Sequence, residues 1–237
     1  MKKIHILHLY PNEMNIYGDR GNLLALKFRL QQHGIEPVIH FHHAKQALPQ
    51  KIDIVLGGGG QDSAQSDIQN DVLRVGNKLH RLAEAGVPML MICGMYQLFC
   101  HRFVTQDNQE IKGIGIFNAE TIASNMRMVG NLKVSSEFGI LYGFENHSGR
   151  TFLAKDQSAL GKVLRGNGNN GRDKTEGART NNVFGAYLHG PMLPNNPNFA
   201  DTLIALAAKN VFGEFKPTKL DDQLAELARA GASKRAY

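Results

Sequence analysis

Three short segments carry residue types that together suit nucleophilic catalysis on an amide. In Met91-Ile92-Cys93-Gly94-Met95-Tyr96-Gln97 an apolar run leads directly into a cysteine and a glycine. A strand that breaks there into a tight turn and a helix exposes the cysteine at its carboxyl end. Gly94 lets the backbone approach a substrate closely. The positive end of the following helix favours thiolate over thiol, lowering the Cys93 pKa from its free value of about 8.5. Position alone leaves open the other reading, an ordinary buried cysteine. Cys100, the second of two cysteines, lacks this context and reads as core packing.

The second segment, Gly57-Gly58-Gly59-Gly60-Gln61, follows a short apolar strand. A glycine run there can form a nest of N–H groups that binds an anion. No Gly-Lys-Ser/Thr follows, so it is not a Walker loop, and it makes no convincing dinucleotide fingerprint. The expectation is that Gly58 and Gly59 supply one half of an oxyanion hole and Gly94 the other; a closely packed turn is the competing reading. In the third segment, Ala186-Tyr187-Leu188-His189-Gly190-Pro191, a histidine closes a strand before two turn-formers. That places it at the same sheet edge as Cys93, as general base and acid. Ten histidines are present, so His189 needs support beyond its type. His40, His42 and His43 suggest a metal cluster, but no matching carboxylate or cysteine set accompanies them, and no metal site is expected.

The elements that must carry these segments follow from apolar spacing. Strands are expected over 3–9, 36–41, 53–56 and 87–92, and helices over 19–32, 66–84 and 94–103. This alternation predicts an α/β fold, a doubly wound, mostly parallel sheet flanked by helices. After Gly113 the pattern changes to short β-like stretches at 131–135, 140–144 and 161–164. Residues 166–171 read as a flexible exposed loop. A strand at 183–188 and helices at 198–212 and 220–230 complete the chain. Residues 1–213 are expected to form one domain, with a helix and basic tail over 214–237.

At 237 residues the chain is long enough for a sizeable core. It has no apolar run of membrane-spanning length and no signal-peptide pattern, so a cytoplasmic location without membrane insertion is expected. The net charge of +6 is spread out except at Lys234 and Arg235, and reads as a mildly basic surface rather than a nucleic-acid interface.

Together and in this order, the three segments resemble the class I (triad-type) glutamine amidotransferases. Cys93 with Gln97 four residues on is similar to that family's nucleophile turn, His189 to its histidine, and the glycine run to its oxyanion strand. Leu9-Tyr10-Pro11, Met14 to Asn22, Gly58 to Asp62, Gly143 to His147 and the 166–171 loop narrow the resemblance to the cobyric-acid-synthase-like branch. Within that branch it looks most like the GatD-type subunits of lipid II isoglutaminyl synthase. The resemblance covers about residues 3–213. It implies a flavodoxin-like fold, L-glutamine as substrate, and Arg127 and Gln97 as substrate-binding residues. It also implies a heterodimer with a Mur-ligase-like synthetase subunit, which would carry ATP and Mg²⁺, this chain needing no cofactor. Ammonia would amidate D-glutamate of lipid II to D-isoglutamine in peptidoglycan synthesis. The family carries a glutamate two residues after the histidine, where this chain has Pro191. The carboxylate behind His189 is therefore an aspartate of the partner, as the resemblance implies, or one in this chain such as Glu145. The remaining alternatives are a cobyric-acid-type subunit acting on another carboxylate, an unrelated cysteine hydrolase, and a non-catalytic basic binding module.

Overall fold

The computed structural model describes residues 2–215 and 217–234, with backbone alone for 232–234. Arg235 and the Lys234 side chain of the basic cluster lie outside the described residues. In chain order, β1 (Lys3–Leu9), α1 (Arg20–Gln32), β2 (Glu36–His42), β3 (Ile54–Gly57), α2 (Asp62–Glu84), β4 (Met89–Ile92) and α3 (Gly94–Phe99) alternate. Next come β5 (Arg102–Val104), β6 (Glu110–Lys112), β7 (Ala119–Ser136), β8 (Gly139–Leu153), β9 (Gly161–Arg165) and β10 (Thr175–Glu176). The chain ends with β11 (Ala178–Thr180), β12 (Val183–Ala186), α4 (Pro197–Phe212) and α5 (Gln223–Lys234).

The first sheet has the order β11-β12-β4-β3-β1-β2 and is parallel throughout except for β11 at one edge. Its central strand β4 is buried at every residue, as a strand covered on both faces must be. α1 packs against α4 and α2 against α3. The helices bury the apolar positions that marked them: Leu23, Leu26 and Leu30 of α1, and Ile68, Val72, Val75 and Leu79 of α2. α2 starts at Asp62, four residues before the expected point. α3 stops at Phe99, and the chain over Arg102–Val104 is strand rather than helix. No helix among the described residues is long and apolar enough to cross a membrane.

The short stretches expected after Gly113 are parts of a second sheet, β10-β9-β7-β5-β6, with β8 on the other side of β7. Its backbone is one long hairpin, registered from Ala119 opposite Leu153 to Ser136 opposite Gly139, with a break in register between Ala123 and Met128. Beyond the break, Met128, Gly130, Leu132 and Val134 point inward in strict alternation.

Two backbone crossings join the sheets. At Gly177 (φ +63°) the chain passes directly from β10 in the second sheet to β11 in the first. Beside it Glu176, wholly buried, accepts the N–H of Tyr187 at 2.7 Å. Just beyond β12, His189 and Phe144 of β8 exchange backbone hydrogen bonds of 2.8 and 3.1 Å. The 166–171 loop departs from expectation: Gly168, Asn169 and Asn170 are buried, and Asn169 binds Gly177 through both ends of its amide. Its polarity reflects these internal hydrogen bonds rather than contact with water. Near the C-terminus, Arg29 of α1 grips Asp201 of α4 and Asp222 at 2.6 Å each. Arg229 of α5 donates to the Ile140 carbonyl.

Burial pushes the Glu176 carboxyl up to about 8, with the nearby Glu145 adding to it. The folded chain keeps this proton to about pH 8, whereas the unfolded chain loses it near 4.5. Stability from this group therefore falls as pH rises through that window, by at most about 1.4 kcal/mol per pH unit, and levels off above it. Glu176→Gln keeps an acceptor for the Tyr187 N–H and cannot ionise. Urea midpoints of the variant, measured from pH 5.5 to 8.5, should slope less steeply with pH than those of the native chain; an identical slope would count against this role.

Candidate active site

The carboxyl ends of β1, β3, β4 and β12 lie along one edge of the parallel sheet, where open α/β sheets place their ligand sites. Cys93 leaves β4 with φ +50° and ψ −104°, a conformation that L-residues adopt only under strain. Three backbone bonds hold it there: Cys93 N–H to the Ala186 carbonyl (2.9 Å), Met95 N–H to the Gly58 carbonyl (3.2 Å) and Gln97 N–H to the Cys93 carbonyl (2.9 Å). Gly94 is required by close approach, because a Cβ there would lie 3.0 Å from the Gly60 nitrogen.

Cys93 and His189 meet around Gly59. A Cβ built on Gly59 would stand 3.2 Å from Cys93 Cβ, 3.2 Å from Tyr17 Cδ2 and 3.3 Å from His189 Cε1. The His189 ring is 1% exposed and packs on Tyr17 with centroids 4.2 Å apart. Neither of its ring nitrogens has a hydrogen-bond partner. Burial, then the His147 ring and Arg127, hold its pKa down to about 3, so the ring stays neutral. The Cys93 thiol is pushed up by burial and by the Asp19 carboxylate, against a smaller opposing effect of the Gly94 N–H. This reverses the expected lowering: α3 is six residues long, and desolvation outweighs its N-terminal field.

The glycine run divides its tasks differently from the expectation. The Gly59 N–H is engaged, donating to Asp19 Oδ2 at 2.7 Å, so it is not free for an oxyanion. Gly58 is pressed against Asp19, whose Cβ would be 2.7 Å from a Cβ on Gly58, and its carbonyl holds the Cys93 turn. The Gly60 nitrogen lies next to Gly94, and Gly60 lines the cavity at Cys93. Asp19 itself is 2% exposed, its Oδ1 has no partner, and burial raises it to about 6.

Glu145 does not face His189. Its carboxylate accepts the Asn167 N–H and side-chain amide and the Gly168 N–H at 2.8–3.1 Å. Phe144 pairs with His189, so the next residue along β8 points to the opposite face. The histidines near the start of the chain have other partners: His42 bonds Asp71 at 2.8 Å and His40 bonds His5 at 3.0 Å. No group of three metal-ligating side chains occurs among the described residues.

Cys93 opens into a cavity of about 430 Å³ whose walls include Tyr17, Gly60, Asp62, Gln97, Arg127 and Asn146. Arg127, in the irregular stretch of β7, donates to Asn146 Oδ1 at 2.5 Å and to the Tyr17 hydroxyl at 2.8 Å. The Gln97 amide is held at both ends, accepting from Gln65 at 2.9 Å and donating to the Tyr187 hydroxyl at 3.1 Å. His147 stacks on Tyr187 at 3.6 Å, with burial holding its pKa down to about 3. The sequence reading missed Tyr17, Asp19, Asp62 and His147 as parts of this site.

Residues 5–197 match the model of the CobB/CobQ-like glutamine amidotransferase domain. The chain is 38% identical over 216 residues to the lipid II isoglutaminyl synthase (glutamine-hydrolyzing) subunit GatD of Streptococcus pneumoniae, covering 90% of this chain and 83% of that one. It is 35% identical over 225 residues to the corresponding subunit of Staphylococcus aureus, covering 94% and 92%. Among solved structures it is similar to PurLQS from Thermotoga maritima, with TM-score 0.56 and 15% identity over 90% of this chain and 97% of that one, a likeness of fold.

Asp19→Asn keeps an acceptor for the Gly59 N–H and removes the charge that opposes a Cys93 thiolate. Alkylation of the Cys93 peptide by iodoacetamide at pH 8, followed by mass spectrometry, should quicken by about three- to tenfold. A rate unchanged or slower than that of the native chain would rule out this electrostatic opposition.

Proposed function

The chain belongs to the CobB/CobQ-like glutamine amidotransferase family, and from that premise we propose that it hydrolyses L-glutamine at Cys93 and His189 and passes the ammonia to a synthetase subunit. The observation that carries this reading is the convergence of a cysteine on a strained strand-to-helix turn with an unbonded, neutral imidazole around Gly59.

Burial disfavours both thiolate and imidazolium, so the pair starts as thiol and neutral ring. His189 takes the thiol proton as Cys93 Sγ bonds to the side-chain carbonyl carbon of glutamine. The N–H groups of Gly94 and Gly60 receive the developing oxyanion, Gly60 replacing Gly58 and Gly59 in this role. Collapse breaks the carbon–nitrogen bond, and His189 returns the proton to the leaving nitrogen, releasing ammonia. Water, deprotonated by His189, then hydrolyses the glutamyl thioester to glutamate and regenerates the thiol. Arg127 brings a guanidinium charge to the α-carboxylate of the substrate.

Residues 1–213 are assigned to the glutaminase domain and 214–237 to a separate segment, of which Asp222 pairs with Arg29 and Arg229 donates to the Ile140 carbonyl. The unbonded His189 nitrogens, Pro191 in the place of the family's glutamate, and the averted Glu145 support a carboxylate lent by the partner. The relatives named as subunits of lipid II isoglutaminyl synthase support a Mur-ligase-like synthetase as that partner. It would bind ATP and Mg²⁺ and amidate D-glutamate of lipid II in the cytoplasm.

Ammonia release from glutamine should drop to background in Cys93→Ala. For the native chain it should rise at least about tenfold when the partner is added. Glutaminase surviving Cys93→Ala would overturn the mechanism, and equal rates with and without partner would overturn the borrowed carboxylate.

A further inference from the structure

The loop between β1 and α1 holds the glycine run at two successive peptide units. Asp19 Oδ2 accepts the Gly59 N–H at 2.7 Å, and the Ile16 N–H donates to the Gly59 carbonyl at 3.1 Å. The first bond anchors the peptide between Gly58 and Gly59, the second the peptide between Gly59 and Gly60. In a trans peptide the carbonyl and the following N–H point opposite ways. With its carbonyl on Ile16, the second unit therefore turns the Gly60 N–H away from the loop. The Gly60 nitrogen stands 3.0 Å from a Cβ built on Gly94, and its N–H makes no hydrogen bond among the described residues. Gly57 to Gly60 have no side chains to restrict rotation of these units, so the direction of the Gly60 N–H depends on its anchors. Ile16 anchors through its backbone and Asp19 through its side chain. That side chain is costly where it stands. Asp19 is 2% exposed, one of its oxygens has no partner, and its charge opposes a Cys93 thiolate. An apolar residue would avoid these costs, but it could not accept the Gly59 N–H.

Resting on the glutaminase reading above, we infer that Asp19 is a positioning residue for the oxyanion: by holding the Gly59 N–H it keeps the next N–H, that of Gly60, directed to where the substrate oxygen becomes charged. It acts through the glycine run rather than on the substrate. A donor aimed before the reaction begins costs no reorganisation as the charge develops. The hydrogen bond of Asp19 thus assists the step that its charge opposes, and substitution separates the two effects.

The test compares two reactions of Cys93 in the full chain. Glutamine hydrolysis, measured as ammonia release with the synthetase partner present, passes through an oxyanion. Alkylation by iodoacetamide is a displacement at carbon and develops none. Asp19→Leu keeps the bulk of the side chain without its acceptor or its charge. Its kcat for ammonia release should fall by about ten- to a thousandfold, the upper end being the loss of a whole oxyanion donor. Its KM should stay within about threefold of the native value, as for an interaction made only in the transition state. Cys93 in this variant should alkylate at least as fast as in the native chain. Asp19→Asn, which keeps the acceptor, should recover most of the lost kcat. The near-isosteric Asn variant decides the matter even where leucine disturbs the fold: a hundredfold or greater loss of kcat with Cys93 still alkylating, an estimate of about one lost donor, overturns the positioning role. An unchanged kcat in Asp19→Leu, or a parallel fall of kcat and alkylation, also overturns it and leaves the glutaminase reading intact. No ammonia from glutamine in the native protein overturns that reading and this one with it.

Discussion

Taking a thiol and an imidazole out of water together is the constraint on which the site is built. Cys93 is 6% exposed and His189 1%, and at such depth an unpaired charge is too costly to persist. Each group is held in its neutral form, the cysteine pushed up and the histidine pushed down. A proton can still pass between them, but the ion pair it creates needs stabilisation from elsewhere. Among the described residues, no carboxylate meets either ring nitrogen of His189. The buried Asp19 adds negative charge on the cysteine side, where it opposes the thiolate. The resting arrangement therefore favours a site that is assembled but weakly charged.

The scaffold reaches this state by joining two sheets at the catalytic edge. The parallel sheet delivers Cys93, the glycine run and His189 at its strand ends, while the second sheet delivers Arg127, Asn146 and His147. The Phe144–His189 backbone pair and the Gly177 crossing fix one sheet against the other. Buried carboxylates sit at the same joint: Glu176 holds the Tyr187 N–H, and Glu145 holds the 166–171 turn. Both accept backbone N–H groups that have no strand partner, which keeps an irregular buried backbone satisfied.

How much of this is legible in the sequence depends on the range of the interaction. Strands of the parallel sheet announce themselves as apolar runs, and Cys93, Gly58 and His189 sit where those runs stop. Their gathering at one edge therefore follows from local patterning plus the topology of α/β sheets. The second sheet reads poorly because Ser124 to Arg127 interrupt the alternation of β7 where its register breaks, splitting one long strand into fragments. The 166–171 loop misleads because glycine and asparagine mark exposed turns as readily as buried, internally bonded ones. The Asp19–Gly59 bond spans 40 positions and leaves no periodic trace. It alone disqualifies Gly59 as a free donor, which composition cannot reveal.

The cavity is also graded in polarity. Cys93 and His189 lie at a depth where low dielectric strengthens every hydrogen bond to a reacting atom. Arg127 and Asp62 lie at exposed positions, where water lowers the cost of keeping two charges without an ion pair. Their fields still reach inward: Arg127 helps hold His189 down and opposes the upward push on the Cys93 thiol, to which Asp62 adds. Were the thiol as exposed as Arg127, water would compete for the backbone N–H groups around it. Full charges thus stand at the mouth of the cavity and neutral groups within it.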